Sequence, residues 1–275
     1  MGVMKTFDRF SSTYIVAELS ANHHQNLSEA LKLIEAAKAC GANAVKIQTY
    51  TADTITFNSD LPHFQLKGQT AWKTLHELYR QAYTPWEWDK ILKDRCQEVG
   101  IDFFSTPFDE TAVMLLEELD MPIYKVASFE IVDLPLLCCI GQTKKPVILS
   151  TGMATREEIA EAVHTLEEAG CPQIVLLKCT SSYPAAPEQM NLRTMVDMQN
   201  FFRRPVGLSD HTLGMATAVA AVALGAKVVE KHFILSRAAG GPDSAGAGGA
   251  RLRWSSRPSI STYAGSAPPA AGTLV

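Results

Sequence analysis

Residues 206–235 read VGLSDHT, then a segment containing MATAVAAVALGA, then VVEKHFIL. Two short apolar runs rich in β-branched residues flank one helical pattern, the order of a β-α-β unit whose strands lie parallel. Each run carries a histidine at or near its C-terminal end: His211 after Asp210, and His232 after Glu230 and Lys231. Strands that run parallel in one sheet end at the same rim, which would bring the two imidazoles together. Neutral imidazole is the commonest side-chain ligand for divalent metals. Two histidines do not complete a metal site, so the stretch alone leaves a second reading open, two unrelated polar strand ends.

Outward from this unit the same pattern recurs: an apolar run, a polar turn, then a helical segment ending at glycine. Residues 14–19 (YIVAEL) form the first run, followed by a helix over 28–40 that Gly41 stops. Residues 44–50 (AVKIQTY) are the second, and the polar stretch 51–83 after them reads as a long functional loop. Thr84 then predicts a helix start, with Pro85 at its first position and Glu87 placed for a capping box, and Gly100 ends it. Residues 102–107, 123–128, 146–152 and 174–180 supply runs three to six, with helices over 109–119, after Asp133, and from Thr155 to Gly170. Runs seven and eight are those of the opening stretch. Eight nearly continuous apolar strands separated by helix-length segments predict a parallel sheet closed into a (β/α)₈ TIM barrel. An open dinucleotide-binding sheet would carry a G-x-G-x-x-G turn after its first strand, and SANHHQN is not one.

The 275 residues, 47% of them hydrophobic, suffice for one large barrel domain. A net charge of −4 without a basic stripe argues against nucleic acid as a partner. The six cysteines show no C-x-x-C spacing and lie within apolar segments, as reduced thiols of a cytoplasmic protein do. Neither a signal-peptide core nor an 18-residue apolar run is present, so no membrane association is expected.

In such a barrel the active site lies at the C-terminal strand ends. Those positions hold Glu18 with Asn22, Lys46 and Gln48, Ser105 and Thr106, Lys125 with Ser128 and Glu130, Ser150, Lys178 with Ser181 and Tyr183, Asp210 with His211, and Glu230 with His232. Lysine inside an apolar strand is costly without an anion, so Lys46 and Lys125 favour a phosphate or carboxylate ligand over interior ion pairing. For Lys178 interior pairing is the better reading. Hydroxyls at several strand ends can donate to one oxyanion, while Glu18 and Glu130 could move protons or balance the lysines.

The motifs AELSANH, AVKIQT, FFSTPFD, YKVASFE, LSTGMAT, KCTSSYP, GLSDHT and VEKHF, in this order, resemble the strand-end motifs of the sialic acid synthase family over residues 14–245. That family condenses phosphoenolpyruvate with an N-acetylated amino sugar to give nonulosonic acids. KGQTAWKTLHELYRQAYTPWEW, KVASFEIVD and CTSSYPA lean toward its pseudaminic acid synthase branch, whose sugar is a 2,4-diacetamido-trideoxyhexose. N-acetylneuraminate and legionaminate synthases are the alternatives within the family. The resemblance implies that His211 and His232 hold a divalent metal, manganese first, with magnesium or cobalt as alternatives. It implies that Lys46 and Lys125, with Ser128 and Ser150, hold phosphoenolpyruvate, and that Ser181 stands where the family often has Asn. Glu18 would lie near the reacting carbons, Glu130 and Tyr183 would help to hold the substrates, and Asp243 would contact the sugar. From their strand-end positions, Asn22, Gln48 and Thr106 are expected to add substrate contacts.

The chain departs from the family beyond PDSA. Ala239 stands where related sequences commonly have Asp, and residues 246–275 contain no Asp, Glu or Lys and no helical period. Their Gly/Ala/Pro/Ser/Arg bias is of the disordered kind. The expected organisation is therefore a synthase barrel over 1–245 and an aberrant, disordered tail over 246–275, the product of a frame change or truncation. The last barrel helix and the family's C-terminal antifreeze-like domain would both be missing. In the family that domain crosses to the partner subunit of a swapped homodimer, so this dimer is not expected here. A metal-dependent aldolase, and a barrel that binds sugar or phosphate without catalysis, are the readings outside the family.

Overall fold

The computed structural model describes residues 12–66, 72–236, 238, 240 and 248–249. Eight strands carry the architecture: β1 (Tyr14–Glu18), β2 (Ala44–Thr49), β3 (Asp102–Pro107), β4 (Tyr124–Val126), β5 (Val147–Ser150), β6 (Ile174–Cys179), β7 (Val206–Asp210) and β8 (Val228–Ile234). Every neighbouring pair is parallel, and β1 also pairs with β8 from Tyr14↔Val228 to Glu18↔His232, which closes the sheet. With helices between the strands, this is the expected (β/α)₈ TIM barrel. A two-residue strand, β9 (Gly248–Gly249), runs beside Phe233 and Ile234 of β8. The rest of the segment expected to be a disordered tail, and any final helix, lie outside the described residues. No described helix is long and apolar enough to cross a membrane, and none of the six cysteines is in a disulfide.

Helices α1 (Leu27–Ala39), α5 (Glu110–Glu118), α6 (Leu134–Gln142) and α7 (Arg156–Ala169) start on side-chain caps at Asn26, Asp109, Asp133 and Thr155. A cap accepts from an otherwise orphaned amide of the first turn. Two expectations fail in the second βα connection. Residues 51–83 are not plain loop: they hold α2 (Ala52–Ile55) and α3 (Leu75–Ala82), the latter with a capping box between Thr74 and Glu77. Thr84 does not start a helix. Its hydroxyl bonds the His23 Nε2 at 3.0 Å, a short 3₁₀ turn follows, and α4 runs Asp89–Val99 before Gly100 stops it at φ 70°. Helices α8 (Arg193–Phe202) and α9 (Ala216–Ala223) follow β6 and β7.

Side chains alternate across each strand, and the alternation sorts the core in two. One set, with Leu33, Ile34, Leu92, Leu116, Leu137 and Leu166, packs strands against helices. The inward set comprises Tyr14, Val16, Ala44, Phe104, Ile123, Ile148, Val175, Leu177 and Val228, and fills the lower barrel. Each fully buried large apolar side chain contributes roughly 1.5–3 kcal/mol. Gly207 is required for space: a Cβ there would lie 2.2 Å from the Val228 carbonyl oxygen and 2.8 Å from Leu177 Cδ2.

Candidate active site

Continuing each inward row toward the C-terminal end changes its chemistry. Val16 is followed by Glu18, Ala44 by Lys46 and Gln48, Ile123 by Lys125, and Ile148 by Ser150. Leu177 is followed by Cys179, Gly207 by Ser209, and Val228 by Glu230 and His232. Parallel register sets these residues level, with Glu18 opposite both Lys46 and His232, and Ser209 opposite Glu230. They surround an open pocket at the barrel mouth, which Ser128, Phe129, Ser181, Tyr183 and His211 also line.

Two lysines within the cavity have different surroundings. Lys46 forms an ion pair with Glu18, lies 3.6 Å from Glu230 and donates to Thr106 Oγ1 at 2.9 Å. Burial pulls its pKa down, but the two carboxylates outweigh burial and hold it above the usual lysine value. Lys125 is equally buried, at 2% exposure, and makes no direct ion pair among the described residues. It donates to the Val126 carbonyl and to Ser150 Oγ, both at 2.8 Å, leaving one of its three N–H groups. Burial lowers its pKa, with Glu230 opposing and Lys46 reinforcing that effect. Beside it, Ser128 Oγ accepts from the Gly152 amide at 3.0 Å, and the Ser128 hydroxyl hydrogen-bonds the Cys179 thiol. A Cβ on Gly152 would sit 2.8 Å from Ser128 Oγ and 2.6 Å from Ser181 Oγ. The hydroxyl cradle therefore has room only because residue 152 lacks a side chain.

The imidazoles of His211 and His232 do converge, with ring centroids 5.5 Å apart. His211 Nδ1 bonds the Thr180 carbonyl at 2.9 Å. A carbonyl can only accept, so Nδ1 carries the hydrogen, and in the neutral ring Nε2 presents the lone pair. The Tyr183 ring lies 4.0 Å from that of His211 and 5.7 Å from that of His232. Among the described residues, no group of three or more His, Cys, Asp or Glu is arranged to hold a metal.

Ten of the expected site residues line this cavity: Glu18, Lys46, Gln48, Lys125, Ser128, Ser150, Ser181, Tyr183, His211 and His232. Three do not. Asn22 is buried with its amide donating to the Phe233 carbonyl at 3.0 Å, and Thr106 is used by Lys46. Glu130 sits in the 3₁₀ turn Phe129–Val132, with one carboxylate oxygen buried and without a hydrogen-bond partner. Burial raises its pKa to about 7, partly opposed by a backbone hydrogen bond and Lys125. Asp243 lies outside the described residues. Cys179, Ser209 and Glu230 line the cavity without having been assigned a role. Period-two alternation from Leu177, Gly207 and Val228 is the signal that places all three inward.

This sequence and fold have counterparts. The NeuB family model matches residues 33–248. The chain belongs to the NeuB family. The pseudaminic acid synthase of Campylobacter jejuni is 47% identical over 240 residues, covering 86% of this chain and 70% of that protein. The N,N'-diacetyllegionaminic acid synthase of Legionella pneumophila is 37% identical, covering 84% and 66%. Among solved structures, the N-acetylneuraminic acid synthetase of Leptospira borgpetersenii in complex with citrate aligns with a TM-score of 0.80 at 31% identity, covering 88% of this chain and 80% of that one. The family resemblance read from the strand-end motifs is thus correct, and this NeuB chain presents those motifs at one barrel mouth.

Proposed function

We propose that this chain condenses phosphoenolpyruvate with an N-acetylated amino sugar, a 2,4-diacetamido-trideoxyhexose, to form a nonulosonic acid of the pseudaminic type. The carrying observation is Lys125: a buried ammonium with no direct ion pair among the described residues, beside hydroxyls that can donate. Glu230 balances that charge only in part, and an anionic ligand would complete the compensation. The carboxylate and phosphate of phosphoenolpyruvate are suitable anions, and the names of the relatives favour this chemistry.

In the reaction, C3 of phosphoenolpyruvate bonds to the aldehyde carbon of the open-chain sugar. Water then adds at C2, and the C2–O bond breaks to release inorganic phosphate. Lys125, Ser128, Ser150 and Ser181 hold the phosphate and carboxylate oxygens through charge-assisted hydrogen bonds. Glu18, ion-paired with Lys46, accepts the proton of the water that attacks C2. The Tyr183 ring and Gln48 position the sugar at the cavity's outer edge.

The His211–His232 pair fits a divalent cation, because a carbonyl fixes the His211 tautomer with Nε2 available and the second imidazole stands 5.5 Å away. Manganese, with magnesium or cobalt as alternatives, would be held by these two residues and would supply Lewis-acid polarisation of a carbonyl oxygen. The deciding assay measures phosphate release from phosphoenolpyruvate with manganese and a panel of N-acetylated hexoses. Sugar-dependent release supports the reading. Release that ignores the sugar, or retro-aldol cleavage without phosphate, points to another barrel chemistry.

A further inference from the structure

The two histidines are not fixed to one another by the sheet. Asp210↔Lys231 is the last register pair between β7 and β8, and His211 lies one residue past the end of β7. What ties His211 to the strand of His232 is found on the other face of these strands. Ser209 and His211, and likewise Glu230 and His232, line the cavity, so the intervening Asp210 and Lys231 point toward the helix layer. There they form a buried ion pair at 2.9 Å, 0% and 3% exposed.

The same ammonium continues to the far side of His211. Lys231 Nζ donates to the Thr212 carbonyl at 2.5 Å, while Asp210 Oδ1 accepts from the Thr212 amide at 2.9 Å and its hydroxyl at 2.7 Å. One lysine from β8 therefore grips both residues that flank His211, and it immediately precedes His232. A buried ion pair is generally no more stabilising than apolar residues of the same shape, so stability alone does not account for one at this position.

We propose that Asp210, Lys231 and Thr212 are positioning residues that set His211 relative to His232 for binding a divalent cation. This rests on the two-histidine metal reading above. A site with only two protein ligands gains little from chelation by the chain, so its affinity depends on how well those two are held in place.

The test titrates the purified chain with Mn²⁺ alone, reading free Mn²⁺ by electron paramagnetic resonance and the unfolding midpoint in parallel. The double variant Asp210→Asn with Lys231→Met removes both charges but keeps an acceptor for Thr212. It should unfold near the wild-type midpoint and bind Mn²⁺ roughly 10–100-fold more weakly. Thr212→Val should show a smaller loss of Mn²⁺ affinity, and Thr212→Ser should bind as wild type. Wild-type Mn²⁺ affinity in the double variant overturns the inference. Should that variant not fold, the Thr212 pair decides, because equal affinity in Val and Ser overturns it. His211→Ala and His232→Ala calibrate the assay. Undiminished binding in both removes the metal reading and this inference with it, whereas binding lost there but intact in the double variant sinks the inference alone.

Discussion

The lower and upper halves of the barrel interior are built from the same eight strands, yet they obey opposite rules. Below, Ile123 and its neighbours form an apolar plug. Two residues further along the same row, Lys125 is just as buried but charged. Burial of the first stabilises the fold, because apolar surface leaves water. Burial of the second costs stability, which the proposed anionic ligand would offset. Along one inward row, then, depth along the barrel axis separates the apolar plug from the charged and polar cavity lining.

Substitutions in the two halves should differ in kind. The largest effect is expected in the plug: Ile123→Ala should cost about 2–5 kcal/mol of unfolding free energy in urea. The folded fraction should keep its affinity for phosphoenolpyruvate. A large affinity loss there would break the division between the halves. Next comes Gly152→Ala at the mouth, where the added methyl crowds Ser128 and Ser181. Overpacking should lower the unfolding free energy in urea by about 1–3 kcal/mol at most, and displacement of the two hydroxyls should weaken phosphoenolpyruvate binding roughly tenfold in the folded protein.

Glu130 sharpens the boundary, since it flanks the mouth without lining it. Its folded pKa of about 7 lies above the ordinary 4.5, so between those values the folded chain keeps a proton that the unfolded chain has released. Stability conferred by that proton is present at low pH and declines as pH rises toward 7. Urea midpoints at pH 5 and 8 should show a fall in wild type that Glu130→Gln reduces. An identical pH dependence in both would show that this carboxyl is not held protonated. The smallest effect belongs to the outer layer, where Thr155→Ala removes the cap of α7. It should cost about 1 kcal/mol and leave ligand binding untouched.

Much of this was legible in the sequence because period-two alternation and parallel register are local rules with global consequences. Once VGLSDHT and VVEKHFIL are strands, His211 and His232 must reach one rim. Side-chain competition was harder to read. Thr74 and Thr84 both begin a T-x-x-E pattern; the first is a true capping box, but the hydroxyl of the second bonds His23, 61 residues away in sequence. Asn22 and Thr106 sit at the right height, yet the Phe233 carbonyl and Lys46 claim them first. Cys179 looked like one more buried thiol within an apolar run, and only the inward count from Val175 reveals that it faces the cavity.

Calorimetric titration of phosphoenolpyruvate into the wild-type chain and Lys125→Met tests the central claim most directly. If the buried ammonium exists for an anion, wild type binds saturably and the variant loses roughly 10²–10³-fold in affinity, comparable to removal of one oxyanion donor, while unfolding no earlier in urea. Equal affinity in the two proteins, or a variant that loses its fold along with its binding, would contradict the account.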